Sequence, residues 1–183
     1  MYKRQVQTNY AIADHSEVIA FDRTTKVRDT SKDFSHSQLM GEFSQSTRAV
    51  HLIQGIHVQG TTMYLLINHN FRLWIRAYNL STKAREPSKD FRTPYPFSVL
   101  VAYELWGEDD TLYACINQGL KYLYTFGAYA WERDTGARKS SEDLLVSRDS
   151  DNLLEGLTGT ENTMWFMRKP TIGLPFLIQA YHR

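Results

Sequence analysis

The polar residues best suited to hold a ligand fall in three short clusters: His69, Asn70 and Arg72; Asn117, Gln118 and Lys121; and Arg168 beside Lys169. Amides, an imidazole and cations offer hydrogen bonds and positive charge to a protein or glycan partner. The same residues also suit ordinary solvated loops, and the sequence leaves both readings open. Nothing in these clusters resembles a nucleophile with its base. His51 and His57 are six residues apart with no cysteine beside them. A metal needs three or four converging ligands, so neither a metal nor another cofactor is expected. Three aspartates, Asp33, Asp90 and Asp143, recur at equivalent places, which reads as a structural corner rather than an active site. Asp14 and Glu17 are the acids nearest a loop of the same kind as those that carry the polar clusters. Cys115 lies in an apolar run and reads as a small buried hydrophobe.

Those clusters sit on a repeat. The stretch from Leu73 to Phe91 has relatives at Val18–Phe34 and Ala128–Leu144, and a shorter one at Ile178–Arg183. Aligned on Phe21, Tyr78, Trp131 and Tyr181, the copies are 57, 53 and 50 residues apart. An alanine precedes each aromatic: Ala20, Ala77, Ala130 and Ala180. Seven residues after the first three aromatics stand Arg28, Arg85 and Arg138; thirteen after stand Phe34, Phe91 and Leu144. A period of roughly 40–50 residues with several strands per unit is the signature of propeller blades.

The units run over about 8–34, 49–91, 96–145 and 152–183, and residues 35–48 read as a polar loop. In the best unit, strands a to d are expected near 50–58, 61–67, 73–80 and 84–91. The second strand of the unit, Met63 to Ile67 or Leu112 to Ile116, is apolar without alternation, so both of its faces should be buried. Pro87 cannot donate to a ladder, so the fourth strand should be the sheet edge. Asp134-Thr135-Gly136 fits a tight turn whose last residue has positive φ; Lys26 and Lys83 take the glycine's place in the other copies at a cost of about 1 kcal/mol each. The interval from third-strand aromatic to fourth-strand anchor is 13 in every complete copy, whereas that from the second-strand aromatic to the third-strand one is 11, 14, 18 and 16. The variable loops share one face with the polar clusters, and variable loops on a rigid scaffold are where binding usually sits.

The 183 residues are enough for a sizeable core. Lys+Arg is 21 and Asp+Glu 20, a net charge of +1 that argues against a dedicated nucleic-acid or anionic-membrane surface. A single cysteine excludes an internal disulfide framework, and no apolar run is long enough to insert into a membrane as a helix.

Thr61-Thr62-Met63-Tyr64, then Arg76 to Thr82, then Ser88-Lys89-Asp90-Phe91, resembles a bacterial β-propeller repeat. That repeat runs roughly W-S-D-G-T-T-M-W-V-A-D, then Y-A-Y-N-L-x-T-x-x-R, then S-K-D-F. Asn162 to Trp165 keeps part of it; Gln59-Gly60 and Asp109-Asp110 depart from its Asp-Gly, and Leu65-Leu66 from its Val-Ala. The resemblance implies an all-β propeller of four-stranded antiparallel blades, about four of them here. It also implies a part of a larger secreted or surface-attached bacterial protein, and it brings no catalytic residues. Two function classes follow: a non-catalytic module that binds a protein or glycan, or a propeller hydrolase or lyase acting on a glycan, which would need a carboxylate pair at the channel mouth.

Residues 1–5 match the translation of a sequencing adapter, which predicts a non-native leader before a partial propeller over 6–183. Fourteen strands are expected, with the first and last units one strand short, hence an incomplete ring whose end faces favour self-association.

Overall fold

The computed structural model describes residues 8–13, 17–40, 51–69, 72–92, 100–120, 123–146, 153–160, 163–169 and 177–182. It is mostly β, in antiparallel sheets. The first sheet pairs β1 (Thr8–Ala13) with β2 (Glu17–Asp22). The second has β3 (His51–Gln59), β4 (Thr62–His69), β5 (Arg72–Asn79) and β6 (Phe91–Arg92) in that order. The third repeats the plan with β7 (Leu100–Glu108), β8 (Thr111–Leu120), β9 (Leu123–Glu132) and β10 (Leu144–Val146). The fourth holds β11 (Leu153–Thr160), β12 (Thr163–Lys169) and β13 (Leu177–His182).

Continuous apolar strands dictate how these sheets stack. On β4, Met63, Leu65 and Ile67 join Val18 and Phe34 of the first sheet's chain segment, while Tyr64 and Leu66 join Leu112, Ala114 and Ile116 of β8. The other face of β8, Tyr113 and Cys115, meets Met164 and Phe166 of β12. Three apolar layers thus separate four sheets, and β4 and β8 are buried on both faces as their composition requires. The second-to-third strand pairing is the expected one, running from Thr62↔Asn79 to Ile67↔Trp74.

The fourth strand departs from expectation. Residues 84–91 do not form a strand. Arg85 makes an isolated bridge to Tyr78, Pro87–Lys89 form one turn of 3-10 helix, and pairing resumes only at Phe91. Pro87 stands in that turn's first position, where its missing N–H is no loss. The same detour recurs at Thr30–Lys32 and Ser140–Glu142. In each case the recurrent aspartate fills the gap left in the ladder. Asp33, Asp90 and Asp143 accept the N–H of Ala20, Ala77 and Ala130 at 2.8, 2.8 and 3.0 Å. Each carboxylate also pairs with its arginine: Arg28 at 2.7 Å, Arg85 at 2.5 Å and Arg138 at 2.6 Å. Since the first unit's last segment contributes only bridges, at Arg28 and Phe34, there are thirteen strands among the described residues rather than fourteen.

Residues 36–40 are also not loop but a short helix, α1 (His36–Met40). Gln38 reaches back to cap it with half of a capping box: the Ser35 N–H donates to Gln38 Oε1 at 2.8 Å, while the Gln38 N–H donates to the Ser35 backbone carbonyl at 3.1 Å. The helix buries Leu39, whose carbonyl accepts the Tyr78 hydroxyl at 3.0 Å.

The turns that follow the third strands keep one geometry. Lys26 has φ 61°, Lys83 φ 57° and Gly136 φ 67°. A Cβ on Gly136 would overlap the Phe91 side chain, so glycine is required there twice over, by dihedral and by space. Lys83 gains something in return for its strained backbone. Its ammonium donates to the Asp33 carbonyl at 2.8 Å and lies 5.8 Å from the Phe34 ring centre. Lys26 is exposed.

Two outcomes follow for chemical denaturation. Asp90→Ala leaves the Ala77 N–H without its acceptor and Arg85 without its counter-ion, and should cost roughly 3 kcal/mol. Asp90→Asn keeps an acceptor and should cost clearly less; equal losses would count against this role. Lys26→Gly should stabilise by about 0.5–1 kcal/mol, whereas Lys83→Gly, which also loses the contacts to Asp33 and Phe34, should give no gain.

Candidate functional site

The first strands of successive sheets set the site's frame. A Cβ on Gly55 would come within 2.5 Å of the Leu105 nitrogen, and one on Gly107 within 2.8 Å of the His57 ring. A Cβ on Gly159 would come within 2.8 Å of Trp106. Residue 55 lies by 105 and residue 57 by 107, so β3 and β7 run side by side in one direction, with β11 next. The loops between second and third strands therefore leave the stack at one common end.

The residues singled out from sequence map to that end. His69 closes β4 and is the register partner of Arg72, which opens β5. Asn117 and Gln118 lie on β8 opposite Phe126 and Thr125 of β9. Arg168 lies on β12 opposite Leu177 of β13. Asn70 and Lys121 lie outside the described residues, as do the side chains of the other five. The backbone thus brings three sheets' worth of polar positions to one edge of the stack.

The opposite end is occupied by structure. At the 3-10 turns an ion pair spans three residues: Asp29–Lys32 at 3.0 Å, Glu86–Lys89 at 3.3 Å and Lys139–Glu142 at 3.3 Å. In the second and third sheets a threonine of the second strand sits inside the pair. Thr62 Oγ1 donates to Glu86 at 3.0 Å and accepts from Lys89 at 3.0 Å. Thr111 Oγ1 meets Glu142 at 3.2 Å and Lys139 at 2.7 Å. The turn at 109–110 is tied down further: the Asp109 carbonyl accepts from Gln59 of the neighbouring sheet at 3.0 Å and from Arg133. Recurring carboxylates on this side are thus committed to holding turns. A shallow cleft of about 260 Å³ beside Glu17, Ile19, Arg28 and Asp33 has its Arg28 engaged by Asp33. Among the described residues no three His, Cys, Asp or Glu side chains converge on a point that could hold a metal ion.

Two titratable groups lie between the first strands: Glu104, which no motif in the sequence marks, and His57, which the sequence marks only as a histidine without metal partners. Each first strand carries one extra residue: pairing skips from Ile53 to Gly55, from Ala102 to Glu104 and from Leu154 to Gly156. Where two sheets have glycine after the bulge, the third has Glu104. Burial pushes its carboxyl up to about 7, against the pull of the Leu105 and Ile56 N–H groups, the former at 3.4 Å. Glu104 in turn helps burial raise the Cys115 thiol. His57, against Gly107, is pushed the other way: burial lowers its pKa to about 4, Arg133 contributes in the same direction, and Nε2 has no hydrogen-bond partner. Aligning the first strands on their bulges would have exposed Glu104 as the odd residue among glycines, but those strands are the most divergent part of the repeat.

No protein-family model matches the chain, and no curated protein matches it.

Glu104 and His57 act in opposite senses on stability. Between about pH 4.5 and 7 the native state holds a proton on Glu104 that the unfolded chain releases, so this group makes stability fall as pH rises. Between about pH 4 and 6.5 the unfolded chain protonates His57 and the native state does not, so this group makes stability rise with pH. Each contribution is bounded at about 3 kcal/mol by the size of the shift. Urea melts at a series of pH values should show Glu104→Gln steepening the rise in stability from pH 4.5 to 6.5 relative to wild type. His57→Gln should tilt the profile downward over the same window. Parallel profiles for wild type and both variants would contradict these assignments.

Proposed function

We propose that this chain is a sector of a β-propeller that serves as a non-catalytic binding module, taking a protein or glycan on its variable-loop edge. The observation that carries the reading is the division of labour between the two ends of the stack. At the turn end, side chains repeat from unit to unit and are spent on one another: Asp33, Asp90 and Asp143 on backbone and arginine, and the 3-10 ion pairs on threonines. At the other end the hairpins differ from sheet to sheet. Two residues separate β4 from β5 and β8 from β9, but β8 and β9 have 10 residues each against 8 in β4 and β5, and seven residues separate β12 from β13. The strand termini there carry His69, Arg72, Asn117, Gln118 and Arg168. A scaffold that fixes one end and varies the other presents different side chains on a common frame. The placement outside the cytoplasm, on a secreted or surface protein, follows from the resemblance of the repeat and is part of the proposal.

A glycan array and a pull-down with the full chain test it against a variant carrying His69→Ala, Asn70→Ala, Arg72→Ala and Lys121→Ala. Binding should fall by tenfold or more, about 1.4 kcal/mol, with an unchanged thermal melt. A bound partner retained at wild-type affinity by this variant would move the site off this edge.

A further inference from the structure

The junctions from second to third sheet and from third to fourth sheet share one register. On the second strand, the residues that face the following sheet are Tyr64 and Leu66 in the second sheet and Tyr113 and Cys115 in the third. On the third strand they are Ile75 and Ala77, then Ala128 and Ala130. On the first strand, His57 and Trp106 lie on Gly107 and Gly159 of the next sheet. All eight of the former positions are buried.

In the fourth sheet the same positions are Thr158, Trp165, Met167, Ile178 and Ala180. Ile178 is 75% exposed, Met167 39%, and Thr158 and Ala180 are exposed as well. Met167 and Ile178 are direct cross-strand partners, so their side chains form one patch. Gly156 stands where Gly55 admits the Leu105 backbone of the next sheet. This face therefore repeats the first-, second- and third-strand positions of the donor half of the internal junction, without a counterpart of Phe91 among the described residues; Met167 and Ile178 are exposed and Trp165 is half-buried.

The receiving half exists at the other end of the stack. The residues that face backward are Tyr78 in the second sheet and Tyr129 and Trp131 in the third, where Phe34 meets Tyr78 at 6.1 Å and Phe91 meets Trp131 at 6.4 Å. In the first sheet the corresponding residues are Ile19 and Phe21, which are half-buried while Val18 and Ala20 on the inward face are fully buried.

We propose that the outward face of the fourth sheet docks on the outward face of the first sheet of a second copy, reproducing the internal junction head to tail. The contact joins two different faces. Repetition therefore closes a ring if the rotation per junction allows it and otherwise continues as an open stack. The proposal stands on the register of the junctions and does not depend on what the variable loops bind.

Sedimentation equilibrium on the full chain tests it. Wild type should associate with rising concentration, and Met167→Glu with Ile178→Glu should weaken that association by about tenfold or more, these positions being exposed in the single chain. Orientation is read by disulfide formation, Cys115 being buried. Chains with Ile178→Cys should not link to one another but should link to chains with Ile19→Cys. A wild-type chain that stays monomeric throughout, association untouched by the double variant, or links between two residue-178 cysteines would each overturn the proposal.

Discussion

Each complete unit of this protein depends on a carboxylate that stands in for a strand. The third strand of a sheet presents the N–H of Ala20, Ala77 or Ala130 toward its edge, and the chain beside it has turned away into a 3-10 turn. An unpaired, part-buried amide would cost about 1–3 kcal/mol. The aspartate thirteen residues after the alanine supplies the acceptor, and the arginine five residues before that aspartate holds the carboxylate in place and in charge balance. The edge can therefore be irregular without being unsatisfied. An edge broken by a turn and covered by charged side chains is also a poor template for another strand, so growth of the sheet sideways is discouraged while stacking through the apolar faces is not.

The constant interval of thirteen has its cause here. The carboxylate must return to the amide of one particular alanine, after a hairpin turn of fixed geometry and one turn of 3-10 helix, so no residue can be added or lost. The hairpins of second and third strands bear no such constraint, and their lengths differ, between the second and third sheets through longer strands rather than a longer loop. The pair of constant and variable intervals was legible in the sequence because it follows from local chain geometry. So was burial of Met63 to Ile67 on both faces, which composition alone demands. The 3-10 turn was not legible as such: Arg85 to Phe91 holds enough extended-chain residues to suggest a strand, and Pro87 fits either an edge strand or the first position of a helical turn. The deciding contact is between a side chain and the backbone of another strand. The Ser35 and Gln38 spacing that caps the short helix was present in the sequence but lay in a stretch whose polarity suggested loop.

Glu104 and His57 were hidden for a different reason. Their altered proton affinities come from the neighbouring sheet, through close approach at Gly55 and Gly107, and no pattern within one unit reports the packing between units. The candidate binding positions were the converse case. Their common edge follows from strand order alone, so His69, Arg72, Asn117, Gln118 and Arg168 fall together once the first strands are seen to run in the same direction.

One feature of the turns bears on how such a chain can change over time. The ion pair across the 3-10 turn is acid then base in the first two units, Asp29–Lys32 and Glu86–Lys89, but base then acid in the third, Lys139–Glu142. The pair closes within its own unit, and the side chains it bonds beyond itself, Thr62 in the second sheet and Asp110, Thr111 and Tyr113 in the third, belong to the same sheet, so either order of charges is accommodated locally. Contacts such as Lys83 on Asp33 and Phe34, or Gly136 under Phe91, cross from one unit to the next and have no such freedom. A copied unit inserted elsewhere in the array would bring these turn charges already neutralised, and would be accepted or refused on the contacts that cross units, the aromatic and glycine positions and the lysine at the hairpin turn. The order of charge within these turns is free to drift, whereas what crosses from unit to unit is inherited jointly by neighbours.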